Sequence, residues 1–107
     1  MKIVFTATEK GWDAKISKRF GRAEGFSVYD TENKELTWYS NQENKDSEHG
    51  VGIQAAQLVV SLNPDLVITG GNFGPKAQQL LSMPNIKLID EAGEITVREA
   101  YQKFKKV

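Results

Sequence analysis

Asp65-Leu66-Val67-Ile68-Thr69-Gly70-Gly71-Asn72-Phe73-Gly74-Pro75-Lys76-Ala77 is the stretch from which the fold can be read. Leu66 to Ile68 is a short apolar, β-prone run that ends in a glycine-rich turn. The turn opens a helix, with Pro75 suited to its first position because the ring fixes φ and that N–H has no helical acceptor anyway. Ala77, Leu80 and Leu81 follow at helical spacing and give the helix an apolar stripe to lay on a sheet. Strand, glycine turn and helix place free backbone N–H groups at a positive helix end, where an anion can be held. Neither common phosphate loop is present. Counting from Gly70, Pro75 stands where a Walker A loop needs its second glycine, and only the Gly71-x-x-Gly74 part of the dinucleotide fingerprint exists. The plain alternative is a set of glycines that merely permit a tight turn.

Working outward, Ile3-Val4-Phe5 reads as a central strand buried on both faces. Thr6 to Arg22 is a long connection without a helical stripe. Its second half holds Lys15, Lys18, Arg19 and Arg22 with no acid between them, and two of the three arginines of the chain flank Phe20-Gly21. Phe26–Tyr29 and Leu36–Tyr39 read as strands, joined through the polar turn 30–34 into a hairpin. Ser40 to Gly50 reads as a polar loop carrying the only histidine, His49. Gly50-Val51-Gly52 leads into a helix whose apolar face is Val51, Ala55, Leu58, Val59 and Leu62, stopped at Asn63-Pro64. A last strand, Ile86–Ile89, precedes a helix that opens with the capping-box sequence Thr96-Val97-Arg98-Glu99. The inner faces of these elements predict Phe5, Val28, Leu36, Leu58, Ile68, Leu80, Leu88 and Phe104 as core.

The order β-β-β-α-β-α-β-α predicts a mixed sheet covered by helices on both faces. If the Leu66–Ile68 strand lies beside and parallel to the first, three segments meet at the carboxyl ends of neighbouring strands. They are the basic loop, the Gly50–Gly52 helix start and the Gly70–Gly74 turn. Ligands of open α/β sheets favour such an edge.

Whole-chain numbers narrow the function. With 107 residues and 39% hydrophobic content, the chain reads as one domain, residues 1–107. Fourteen basic and fourteen acidic residues cancel, so no global field draws in nucleic acid or membrane. The lack of cysteine removes disulfides, thiolate metal sites and the usual ligands of iron–sulfur clusters. No signal peptide or membrane-length apolar run is seen, and a cytoplasmic protein is expected.

Four motifs in register resemble the dinitrogenase iron–molybdenum cofactor biosynthesis family: Arg19-Phe20-Gly21-Arg22-Ala23, Gly50-Val51-Gly52-Ile53-Gln54-Ala55-Ala56, Val67–Gly71 continuing through Phe73–Ala77, and Ile95–Ala100. Together they cover nearly the full length. The resemblance implies a three-layer α/β/α ribonuclease-H-like fold with a five-stranded mixed sheet, order 3-2-1-4-5 and strand 2 antiparallel. It also implies a carrier role for an anionic iron–molybdenum or iron–sulfur cofactor precursor, without catalysis, with a protein partner in cofactor assembly. The family's basic and glycine-rich positions fall on Arg19, Gly21, Arg22, Gly70, Gly71 and Gly74.

The residues themselves lead to the same class. The candidate anion-binding set is Arg19, Gly21, Arg22, Gly50, Gly52, Gly70, Gly71, Asn72 and Gly74, with His49 as a candidate metal ligand against the plainer reading of a solvated loop histidine beside Glu48. An enzyme fits poorly. A metal-dependent nuclease on such a sheet needs a carboxylate on its first strand, and Ile3–Ala7 has none; no nucleophile elbow surrounds any serine. An interaction or regulatory domain without metal cargo is the alternative, with Trp12 and Phe73 as contact residues unless they pack inward. At least one of the two is expected to be partly buried. Arg19 and Arg22 read as loop charges whose removal leaves the fold intact.

Overall fold

The computed structural model describes residues 1–48 and 50–105. Its elements are β1 (Lys2–Ala7), β2 (Gly25–Asp30), β3 (Glu35–Ser40), α1 (Gln42–Lys45), α2 (Val51–Ser61), β4 (Leu66–Ile68), α3 (Pro75–Leu81), β5 (Lys87–Ile89) and α4 (Val97–Phe104). The strands form one five-stranded sheet in the order β3-β2-β1-β4-β5. β2 is antiparallel to both neighbours, and β1, β4 and β5 run parallel. This is the order and direction that the family resemblance implies.

Period-two alternation sorts the strand side chains into two cores. Val4, Phe26, Val28 and Val67 face α2 and α3, where they meet Ala55, Ala56, Val59, Ala77 and Leu81. Ile3, Phe5, Leu66 and Ile68 face α4 and the loop before it, meeting Val97, Ala100 and Ala92. The connection from β1 to β2 belongs to both cores. Ala14 and Ile16 enter the second and Phe20 the first, so the basic loop is anchored by its apolar residues and is not a detached solvated segment.

Local sequence explains the ends of the elements. Pro75 opens α3, and the Thr96 hydroxyl accepts the Glu99 N–H at 3.1 Å while Glu99 accepts the Thr96 N–H at 2.9 Å. That completes the capping box read from the sequence. The hairpin turn closes through Asp30 and Asn33, whose carboxyl and amide oxygens accept the N–H groups of Glu32 and Glu35.

Two expectations need correction. Ser40 to Gly50 is not all loop, because Gln42–Lys45 makes one helical turn, α1. It has no apolar face to announce it and is held from its start by Asn41, whose buried amide donates to the Gly21 and Ala23 carbonyls at 3.1 and 3.0 Å. Leu80 is not core: it is 41% exposed, while its neighbour Leu81 is fully buried. A helix this short buries one narrow face, and Ala77 and Leu81, four residues apart, occupy it. Phe5, Val28 and Ile68 are buried as expected, whereas Leu36, Leu58, Leu88 and Phe104 are half-buried at the margins.

Candidate anion-binding site

The carboxyl ends of β1 and β4 are joined by one backbone carbonyl. Ser17 O accepts the Gly70 N–H at 2.9 Å and lies 2.9 and 3.3 Å from the Thr6 and Thr69 hydroxyls, which are 3.0 Å apart. The Ser17 N–H in turn donates to Thr6 O at 2.9 Å. Both threonine side chains are buried, so their hydroxyls need these partners. The result clamps the start of the basic loop onto the sheet edge. Three residues later Phe20 drives into the core, its ring centroid 5.6 Å from Phe26 and 5.3 Å from Phe73. Phe73 thereby ties the glycine turn to the basic loop. It is buried, and Trp12 is half-buried against Tyr29 and Tyr101, so neither aromatic is a free contact residue.

These anchors bring the loop close to its neighbours. A Cβ on Gly21 would come within 2.9 Å of the Gly52 nitrogen, and one on Gly71 within 2.4 Å of the Lys18 carbonyl oxygen. Only glycine lets these backbones interlock. Between them opens a cleft of about 550 Å³ whose lining includes Lys18, Arg19, Arg22, Gly52, Asn72 and Gly74, and also one carboxylate, that of Glu91. The three segments that the sequence placed at one sheet edge therefore share one concavity.

Not every candidate residue lies in that concavity. Gly70 is buried behind its wall against Ser17 and Gly93. Gly50 lines a neighbouring apolar groove between the starts of α2 and α3, together with Gly52 and Gly74. The Asn72 side chain accepts the Gly74 N–H at 3.1 Å and so shapes the turn. His49 lies outside the described residues.

The cleft offers donors. The N–H groups of Gly71, Asn72 and Phe73 meet no acceptor among the described residues. α2 begins at Gly50 with no side-chain cap, which leaves its first-turn N–H groups to water or a ligand. Arg22 is half-committed: its guanidinium donates to the Lys45 carbonyl at 2.7 Å and fastens the loop to α1. Arg19 is exposed and has no carboxylate within ion-pair distance among the described residues. Lys18 pairs with Glu94 at 2.6 Å, and the hydrogen bond and charge of Lys18 hold the Glu94 carboxyl below the usual carboxylate range. No three His, Asp or Glu side chains gather as a metal-binding group among the described residues. The arrangement can orient and neutralise an anion. Phe20, Asn41 and Ser17, which position it, were not singled out from sequence; the first is flanked by the two arginines, but an amide and a main-chain carbonyl leave no such signal.

Comparison with known proteins agrees with this architecture. Among solved structures, the apo form of the orange protein from Desulfovibrio gigas superposes with a TM-score of 0.90 at 36% identity, over 98% of this chain and 87% of that one. A NifB-like protein of the DUF35 family from Thermotoga gives a TM-score of 0.81 at 28% identity, over 98% and 87%. An uncharacterized protein of Methanocaldococcus jannaschii is 29% identical over 99 residues, 84% of this chain and 83% of its own length. The family profile described as dinitrogenase iron-molybdenum cofactor matches residues 1–107. The chain belongs to the dinitrogenase iron–molybdenum cofactor family.

Proposed function

We propose that this protein is a non-catalytic binding or carrier domain for a small anionic ligand, with an iron–molybdenum or iron–sulfur cofactor precursor as its cargo. The observation that carries the reading is the convergence of Arg19, Arg22, the Gly71–Gly74 turn and the start of α2 on one cleft. With no cysteine in the chain, thiolates cannot hold a cluster, and recognition falls to charge and hydrogen bonding. The donor set suits such recognition, because guanidinium groups and unpaired N–H groups make their strongest hydrogen bonds to ionised acceptors. The reading takes residues 1–107 as a single cytoplasmic domain that passes its cargo to a protein partner in cofactor assembly. No helix among the described residues is long and apolar enough to cross a membrane. Nucleic acid is not a partner in this reading, because tight binding draws on many phosphate contacts, whereas the net charge is zero and the basic loop holds only Lys15, Lys18, Arg19 and Arg22.

Absorbance and metal content of protein purified without oxygen, followed by titration of the metal-free protein with a thiometallate anion, test the proposal. Arg19→Ala is the clean variant, since Arg19 has no carboxylate partner among the described residues. It should weaken binding by about 1.5–3 kcal/mol, the scale of one charge-assisted bond. Arg22→Ala should weaken binding too, but it also removes the 2.7 Å bond to Lys45 and so lowers stability by about 1 kcal/mol. Unchanged affinity in folded Arg19→Ala would remove the cleft from the account.

A further inference from the structure

A second basic cavity lies against the same loop, and the anion cleft does not account for it. It measures about 510 Å³, and its walls include Thr8, Lys15, Lys18, Arg19, Arg22 and Glu94. Lys18, Arg19 and Arg22 also line the cleft, whereas Thr8, Lys15 and Glu94 line only this cavity. Four basic residues and one carboxylate therefore line a single basin in a chain whose charges cancel overall.

The floor is fixed. The strand-like bridges Ala7↔Ile16 and Lys15↔Thr96 hold the loop between β1 and the start of α4. The Thr8 N–H and hydroxyl both approach the Lys15 carbonyl, at 3.0 and 3.3 Å. Glu94 follows a loop whose N–H groups at Glu91, Ala92 and Gly93 donate to the carbonyls of Gly71, Thr69 and Gly70. Rigid backbone thus presents the Glu94 carboxylate to Lys18 at 2.6 Å, while the Lys15 ammonium reaches the Glu94 carbonyl at 3.4 Å. The Glu94 and Lys18 side chains are 71% and 60% exposed, and an ion pair so hydrated is weak and opens readily. The basin already holds an anion, and that anion is part of the chain.

We infer that this basin is a second anion subsite, which takes the phosphate monoester of a small organic molecule and in which the Glu94 carboxylate stands as an internal competitor for Lys18. The excess of cations over the resident carboxylate favours a multiply charged anion. The volume calls for a body behind the charge: small-molecule sites span ~300–1,000 Å³, far more than a bare oxyanion fills. The methylene stems of the lysines and arginines supply the apolar wall for that body. The subsite shares Lys18, Arg19 and Arg22 with the cleft and is set apart from it by Lys15 and Glu94, which do not line the cleft.

Amide NMR titration of the full chain with adenosine 5′-monophosphate, inorganic phosphate and adenosine tests it, with Lys15→Ala and Glu94→Gln beside the wild type. The monophosphate should saturate at about 1 mM or tighter, with shifts centred on Thr8, Lys15 and Lys18. Lys15→Ala should weaken binding about fivefold and Glu94→Gln tighten it about fivefold, as expected for one unit charge near the ligand in a wet site. Opposite responses from two surface substitutions are a signature that general loss of structure does not produce. Equal affinity in all three proteins, or no saturation by ~10 mM, overturns the subsite. Inorganic phosphate binding as tightly as the monophosphate overturns the organic body, and adenosine binding as tightly overturns recognition of the charge.

Discussion

Phe20 is the residue whose removal most directly tests how the cleft is built. Its side chain is 2% exposed, sits between Phe26 and Phe73, and joins the basic loop to the core under α2 and α3. An aromatic side chain buries roughly 150–250 Å², which at about 25 cal/mol per Å² is ~4–6 kcal/mol of transfer free energy. Measured truncations of buried phenylalanine fall at about 3–5 kcal/mol, since the surroundings relax in part. Phe20→Ala should therefore lose about 4 kcal/mol from a total of roughly 5–15 kcal/mol for a domain of this kind. Urea unfolding followed by the fluorescence of Trp12 and Trp38 measures it, with an unchanged slope showing that the same surface is still exposed on unfolding. Phe20→Leu keeps most of the volume and should cost under about 1.5 kcal/mol. Anion binding in that folded variant should still weaken, because the leucine cannot hold the loop against Phe73. A loss below about 1 kcal/mol for Phe20→Ala would refute the claim that this side chain anchors the loop.

Gly71→Ala should cost about 1–3 kcal/mol and shift the amide resonances of residues 17–22, because its Cβ meets the Lys18 carbonyl oxygen rather than a flexible side chain. The Glu99 carboxyl is held below its ordinary value of 4.5, chiefly by the Thr96 backbone N–H and then by the Thr96 hydroxyl. A depressed folded value means its contribution is present above pH 4.5 and is lost as the pH falls through the folded value. Protection factors of the α4 amides, taken relative to intrinsic exchange at each pH, should fall over that acid window in the wild type, and Thr96→Ala should lower stability by ~1 kcal/mol at neutral pH. Phe104 is half-buried with the Lys103 ammonium 5.4 Å from its ring, so Phe104→Ala should cost ~1–2 kcal/mol in a urea titration, less than a fully buried phenylalanine.

How far the sequence was legible depended on whether side chains or main chain did the work. Alternating strands, Pro75 at a helix start and the Thr96–Glu99 box all act through side-chain chemistry, and each reads directly from the residues. The sheet order came from the resemblance, since strand periodicity alone does not say which strands pair. α1 was hidden because its residues, Gln42 to Lys45, bury nothing and depend on hydrogen bonds of Asn41 and Asn44 to distant segments. Leu80 misled because two adjacent leucines fit one helical stripe about equally until the packing angle is known. In the site, the positive charge of residues 15–22 was plain, but the Ser17 carbonyl that fixes the loop carries no side-chain signal at all.

The glycines pose the sharper question, because a motif rich in them was the first pointer to a ligand. Gly21, Gly70 and Gly71 are each required by a neighbouring backbone atom within 3.0 Å of where a Cβ would lie. Gly50 and Gly74 take φ of 72° and 83° at the starts of α2 and α3, a region open to glycine without strain. All five therefore have a structural reason to be glycine whether or not anything binds, and their presence alone says nothing about function. What the interlocking leaves over is more informative. The Arg19 guanidinium meets no carboxylate and three consecutive turn N–H groups meet no acceptor among the described residues, and all of them border one cleft. A folded chain gains nothing from donors left in that state, since each unpaired group keeps only its hydration. An anion is the ligand class that satisfies guanidinium and N–H groups together. Function is therefore read from the donors that folding does not use, with the glycines as the scaffold that aligns them.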